Sequence, residues 1–69
     1  MNKRLLVNGQ DKTIQAVTIR ELLAELGLGT DPRGVAVAID GQVVPRSQWD
    51  ATDPQGGAAI DIVGAVQGG

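Results

Sequence analysis

The residues of this chain that could take part in chemistry lie at its end. The sequence stops at Gln67-Gly68-Gly69, after an apolar run at 58–66 that is typical of a final strand. Glycines have no side chains, so any reaction there must use the main-chain carboxylate of Gly69. A chain with 10 glycines in 69 residues can also end in two glycines by chance, as a frayed terminus. The tail alone leaves a reactive carboxylate and an inert end equally open.

The types of side chain present exclude most kinds of active site. The sequence contains no cysteine and no histidine, and its single serine is Ser47. Thiol chemistry, a histidine-based triad and the common zinc and redox-metal sites are therefore ruled out. We also find no pair of acidic residues spaced for acid–base catalysis. We expect a chain that binds no metal or cofactor and is not an enzyme in its own right.

Length and charge narrow the class of protein further. Sixty-nine residues with 42% apolar content allow one domain with a thin core. A net charge of −2, scattered basic residues and a single aromatic residue, Trp49, argue against nucleic-acid binding. The apolar run Leu5–Val7 is too short for a signal peptide, and no segment approaches the roughly 20 apolar residues of a membrane span. We therefore expect a cytoplasmic protein that is monomeric when free.

Two dipeptides predict hairpin turns. Asn8-Gly9 and Asp40-Gly41 are strong signals for two-residue turns between antiparallel strands. The strands that they would join are 5–7 with 13–16, and 35–39 with 43–44. These two hairpins lie on either side of the segment that carries the strongest helical pattern.

The helical segment is predicted at residues 19–26. Thr18 and Glu21 have the spacing of a capping box, in which each side chain bonds to the backbone N–H of the other residue. Apolar residues then recur with helical spacing, and Gly27 can adopt the left-handed conformation that ends a helix. In the irregular segment 45–57, we expect Trp49 to close the edge of the core, and a contact with a partner stays open for it.

Alternation along the strands predicts which side chains face the core. Leu5 and Val7 would point inward and Leu6 outward, and in the last strand Ile60 and Ile62 would point inward. The outward residues Leu6 and Val63 are candidates for docking a partner on the sheet face away from the helix, and Ala65 and Val66 near the tail are further docking candidates. Ordinary scattered surface apolarity explains them equally well at this point.

With these elements in place, the sequence resembles the ThiS family of sulfur carrier proteins of thiamin (thiazole) biosynthesis. Three stretches carry the resemblance. The first is Val7-Asn8-Gly9, the second is 35–49 with its Val-Pro-Arg-x-x-Trp pattern ending at Trp49, and the third is 60–69 with the closing strand and Gly-Gly tail. Together with the helix, they span nearly the whole chain.

The element order and the resemblance imply one architecture. Strand, strand, helix, strand, strand and strand indicate an α+β domain with one main helix on one face of a mixed sheet of four to five strands. The resemblance implies the ubiquitin-like β-grasp fold, in which the first and last strands are adjacent and parallel at the centre of the sheet. The domain would cover residues 1–66, and residues 67–69 would form a flexible tail.

The resemblance also implies the function of the tail. A ThiF-like enzyme would use ATP to adenylate the Gly69 carboxylate, and a cysteine desulfurase-derived persulfide would convert it to a thiocarboxylate. A ThiG-like thiazole synthase would then take the sulfur. Gly68 and Gln67 would give access to the partner's active site. This chain would be a protein co-substrate with no turnover of its own.

Three other functions remain open on the sequence. The small subunit of molybdopterin synthase would use the same tail chemistry but deliver sulfur to a pterin. A ubiquitin-like modifier would join Gly69 to lysines of other proteins. A passive interaction domain would have an inert tail, so that removal of Gly68-Gly69 would change nothing.

Overall fold

The computed structural model describes residues 2–64, which form a five-stranded mixed sheet with one α-helix packed on one face. The elements are β1 (Lys3–Val7), β2 (Gln10–Ile14), α1 (Ile19–Glu25), β3 (Val35–Ile39), β4 (Gln42–Val44), a 3-10 helix (Arg46–Gln48) and β5 (Ala59–Gly64). The strand order is β2-β1-β5-β3-β4. Strands β1 and β5 are parallel, and the other neighbouring pairs are antiparallel. The predicted α+β fold is confirmed, with the first and last strands adjacent. Within residues 2–64, no helix has the length and apolar character needed to cross a membrane.

Both hairpins form at the predicted turns. Asn8 and Asp40 have positive φ angles of 51° and 49°, and the glycine that follows each of them is also left-handed. The predicted start of the second strand at residue 13 is wrong, because a two-residue turn pairs Val7 directly with Gln10. Strand β4 likewise starts one residue earlier than predicted, at Gln42. In both hairpins, the two-residue turn brings polar residues into the strand pairing, and an apolar sequence pattern cannot predict such residues as strand.

Helix α1 begins as predicted and ends one residue earlier. The hydroxyl of Thr18 accepts a hydrogen bond from the N–H of Glu21 at 3.1 Å. Leu26, the predicted last residue, is instead the C-cap, and Gly27 has a φ of 89°. Because the chain turns into the left-handed region there, the helical hydrogen bonds cannot continue.

The linker between β2 and α1 is held by two glutamates of the helix. Glu25 accepts hydrogen bonds from the N–H groups of Gln15 and Ala16, at 2.8–3.1 Å. Glu21 accepts from the N–H of Val17 at 3.0 Å, and not from that of Thr18 as the capping box predicts. The N–H of Val17 takes that place because the linker runs across the helix with its N–H groups facing the carboxylates.

The core lies between α1 and the sheet. The inward faces predicted by alternation are confirmed: Leu5, Val7 and Ile60 are buried, and Ile62 packs against them while partly exposed. The helix contributes Ile19, Leu22 and Leu23, all fully buried. A domain with so thin an aliphatic layer has a small free energy of unfolding, so the loss of one buried side chain removes a large share of it.

Trp49 is a core residue, as predicted. Its ring is 1% exposed, and its Nε1–H donates to the carbonyl of Val44 at 3.1 Å. The guanidinium of Arg46 lies 4.6 Å from the ring centroid, pairs with Asp31 and donates to the carbonyl of Pro32 at 2.6 Å. The Arg-x-x-Trp pattern therefore fixes the loop after α1 to the edge of the core, and the buried ring has no surface to offer a partner.

Replacement of Leu22 by alanine should lower the free energy of unfolding by about 2–5 kcal/mol, because it opens a cavity beneath the sheet. The matched change Leu6→Ala, at a side chain 44% exposed on the other sheet face, should cost less than about 1 kcal/mol. Urea unfolding followed by the fluorescence of Trp49, the only aromatic residue, measures both. Equal losses at the two positions would contradict this assignment of faces.

Candidate functional site

The candidate site starts where β5 reaches the end of the described structure. The last strand, predicted at 58–66, is observed from Ala59 to Gly64. The predicted reactive residue Gly69 and its access residues Gly68 and Gln67 lie outside the described residues. So do the boundary between domain and tail, and two of the docking candidates, Ala65 and Val66. Their roles stay predictions, and the structure places the strand that leads to them.

Strand β5 is held on both sides close to its end. On one side, β3 pairs with it as far as Gly64. On the other side, β1 pairs with it only as far as Ile60. Beyond that point, the side-chain amide of Asn8 takes over: its Nδ2 donates to the carbonyl of Ile62 at 3.2 Å, and its Oδ1 accepts from the Ile62 N–H at 2.8 Å. The side chain thus extends the ladder of β1 by one step.

The second turn residue, Asp40, holds the start of the same strand. Its backbone N–H donates to the carbonyl of Ala59 at 2.8 Å, and its Oδ1 accepts from the Ala59 N–H at 2.9 Å. The sequence predicts Asn8 and Asp40 only as turn formers. Their contacts with β5 reach across 54 and 19 residues, so a local turn signature does not reveal them.

The sheet face away from α1, called the outer face below, is largely apolar. Its three large apolar side chains are Leu6, Val43 and Val63, with exposed fractions of 44%, 73% and 63%. Each lies opposite an alanine of the neighbouring strand, so all three stand out from the sheet. The alanines are Ala59, Ala38 and Ala36, respectively. The predicted exposure of Leu6 and Val63 is confirmed, and Val43 adds a third residue that the sequence analysis did not single out.

The edge of the outer face near β2 is polar. Arg4 of β1 and Asp11 of β2 form an ion pair there. The pKa of Arg4 is raised, first by its hydrogen bond to the Asp11 carboxylate and second by the attraction between the two charges. Asp61 lies between Ala59 and Val63 along β5 and adds a negative charge to the middle of the face. The large apolar side chain of the outer face that lies nearest the end of β5 is therefore Val63, whereas Val43 is level with Asp61, since both lie opposite Ala38.

The described residues hold no group of acidic side chains that could bind a metal ion. What they offer is a firmly paired central strand, an apolar face beside it, and a sequence that continues past Gly64 to Gly68-Gly69. This arrangement can dock another protein and present a main-chain group to it.

Comparison with known proteins shows the family and the fold of this chain. A sequence model of the ThiS family matches residues 5–69. The crystal structure of the thiamine biosynthesis protein ThiS from Geobacter metallireducens is 32% identical to this chain, with a TM-score of 0.78 and full coverage of both chains. The solution structure of a thiamine biosynthesis protein from the same organism is 31% identical, with a TM-score of 0.73, and covers all of this chain and 88% of its own.

A longer curated protein is also similar. The thiazole synthase of Paramagnetospirillum magneticum is 34% identical over 67 residues, which are 96% of this chain and 20% of that protein. The chain thus spans about one fifth of the length of that relative.

The family match runs from residue 5 to residue 69, and the two solved structures cover the whole of this chain in their alignments. The mixed five-stranded sheet with one helix is the ubiquitin-like β-grasp. The chain therefore belongs to the ThiS family.

Proposed function

We propose that this chain carries sulfur as a thiocarboxylate on Gly69 and donates it to thiazole formation. The observation that supports this most directly is the extent of the family match, which runs through Gly68 to Gly69. The resemblance to the family therefore does not depend on the two terminal glycines alone. It also includes the strand that precedes them and the rest of the domain that holds this strand.

The proposed chemistry follows from the properties of a carboxylate. A terminal carboxyl group has a pKa of about 3.3–3.7, so it is ionised at neutral pH and is a poor electrophile. Attack of the Gly69 carboxylate on the α-phosphorus of ATP forms an acyl-adenylate and releases pyrophosphate. The terminal sulfur of a persulfide then displaces AMP from the acyl carbon, and a second thiol cleaves the S–S bond. The sulfur stays on Gly69 as a thiocarboxylate.

Other proteins supply the reacting groups in this scheme. The chain has no cysteine on which a persulfide could form, so the sulfur must come from a separate donor, which we propose to be a cysteine desulfurase-derived persulfide. A ThiF-like enzyme would bind ATP and catalyse the adenylation. This chain is then a co-substrate of its partners and binds no cofactor of its own.

A thiazole synthase resembling ThiG is the proposed acceptor of the sulfur. The similarity to the Paramagnetospirillum magneticum thiazole synthase supports this choice, because a segment like this chain forms about one fifth of that protein. A covalent link raises the effective concentration of one partner at the other, which favours partners that act on each other.

The tail and the outer face would divide the work of recognition. Residues 64–69 span at most about 20 Å when extended, which is enough to reach into a buried active site. Without a Cβ, Gly68 and Gly69 can pass through a narrow channel and adopt backbone angles that other residues disfavour. The outer face, with Leu6 and Val63 and with Ala65 and Val66 beyond it, would supply the docking energy.

Incubation with the cognate adenylating enzyme, ATP and a sulfur donor should exchange one terminal oxygen for sulfur, as seen by intact-mass analysis. Deletion of Gly69 should abolish the exchange, because the carboxylate then stops one residue short of its reaction partner. Gly68→Ala should slow it by adding a Cβ to the tail.

The matched control is Gly56→Ala, where an added Cβ meets only an ordinary contact with the Lys3 side chain at 3.7 Å. That variant should react at the rate of the unmodified protein. Lack of sulfur in the unmodified protein would defeat the proposal. Covalent adducts on lysines of other proteins would indicate a modifier, and sulfur transfer to a pterin would indicate the molybdopterin alternative.

A charge on the outer face should weaken docking without unfolding the domain. Val63→Asp should raise the dissociation constant for the adenylating enzyme about tenfold or more, since a carboxylate would be desolvated in an apolar interface. Val17→Asp is the matched control, because Val17 is 57% exposed but lies in the linker before α1. Calorimetric titration and urea unfolding measure affinity and stability. Unchanged affinity in a folded Val63→Asp variant would exclude the outer face as the docking surface.

A further inference from the structure

We propose that Asn8 is a positioning residue for the tail: its side chain fixes the end of β5 and so the direction in which the chain continues towards Gly69. This inference rests on the proposed function. It starts from the two hydrogen bonds between the Asn8 amide and the backbone of Ile62, seven residues before Gly69.

Asn8 supplies hydrogen-bond partners for Ile60 and Ile62, two β5 residues whose backbone groups point towards β1. Its backbone N–H donates to the carbonyl of Ile60 at 2.8 Å, and its side chain then bonds to both the N–H and the carbonyl of Ile62. A side-chain amide has one donor group and one acceptor, as a peptide group has, so it can stand in for the next residue of the strand. The main chain cannot do so, because it turns away at Gly9, whose φ is 81°.

The turn alone does not explain why residue 8 is asparagine. The left-handed φ of 51° suits asparagine, aspartate or glycine. Glycine would form the turn without any bond to β5. Aspartate could accept from the Ile62 N–H but has no hydrogen to donate to the Ile62 carbonyl. Asparagine alone among the three satisfies both groups, so the contact with β5 determines the residue type.

The other turn shows the same logic with a different outcome. At Asp40, the backbone N–H already donates to the Ala59 carbonyl, and the side chain has only to accept from the Ala59 N–H. An acceptor is therefore sufficient, and aspartate serves. The two turns have the same geometry but carry different residues. Near its end, at Ile62, β5 needs a side chain that both donates and accepts, whereas at its start, at Ala59, it needs only an acceptor.

The consequence for the tail is a strand end held from both sides. Strand β3 pairs with β5 up to Gly64, and Asn8 holds the opposite edge at Ile62. Without the amide, the last residues of β5 would keep the β3 pairing alone and could pivot about it. Because reaction rates depend steeply on the placement of the reacting group, a shift in this exit should act on the tail reaction more than on the fold.

The test compares Asn8→Gly with Asp40→Gly. Both variants keep a residue that tolerates positive φ, and each removes only side-chain bonds to β5, at opposite ends of the strand. Asn8→Gly should speed hydrogen exchange of the Ile62 amide about tenfold relative to that of Ile60, as expected when a hydrogen bond is lost. It should also lower kcat/KM for thiocarboxylate formation several-fold.

Asp40→Gly should leave both the Ile62 exchange rate and kcat/KM at the values of the unmodified protein. Asn8→Asp, which keeps the acceptor, should protect the Ile62 amide but restore kcat/KM only in part. Equal losses of kcat/KM in the two glycine variants, in step with their stability in urea, would overturn the proposal and leave Asn8 a structural residue. If the unmodified protein acquires no sulfur, that result rejects the proposed function, and with it the role of Asn8 in the tail reaction. Unchanged exchange at Ile62 in Asn8→Gly would overturn the anchoring itself.

Discussion

The parallel pairing of β1 with β5 is the interaction on which the rest of the structure depends. It joins the first and last strands of the described chain, so everything between them must fold back before it can form. Ile60, at this pairing, is fully buried under α1. Contacts between residues more than 50 positions apart are costly in chain entropy, and the aliphatic layer beneath the helix offsets that cost. The strand that leads to the tail is therefore in place only when the whole domain is folded.

The local features of the fold could be predicted from the sequence, because their signals lie within a few residues. The two Asx-Gly turns, the Thr18 cap and the alternation of Leu5, Leu6 and Val7 each report on geometry that neighbouring residues determine. The start of β2 could not be predicted, since an edge strand of polar residues has no hydropathy pattern and the turn sets its register. The central place of β5 came from resemblance alone, because no local pattern encodes pairing with a strand so distant.

As with the fold, the local features of the candidate site could be predicted from the sequence and its long-range contacts could not. The outward face of Leu6 and Val63 followed from alternation, and the structure confirms it. The reactive role of Gly69 came from its residue type and the family likeness, and it stays a prediction. The side-chain contacts of Asn8 and Asp40 with β5 did not follow, since each residue is already explained by its turn. Trp49 is the opposite case, because the resemblance to the family rests partly on the Arg-x-x-Trp pattern and the structure shows that this pattern serves packing. Arg46 lies over the ring of Trp49 and pairs with Asp31.

Under the proposed function, docking of a partner and delivery of sulfur would be linked, because both would depend on strand β5. Val63 stands on the outer face immediately before Gly64, so any partner that covers the outer face at Val63 also lies beside the end of β5. The position of the docked domain would then determine where the following residues enter the partner, provided that β5 itself does not shift. Pairing with β3 on one side and the hydrogen bonds of Asn8 on the other would oppose such a shift. Under the proposed function, the hydrogen bonds at the end of β5 would belong to the same functional surface as the apolar side chains beside it.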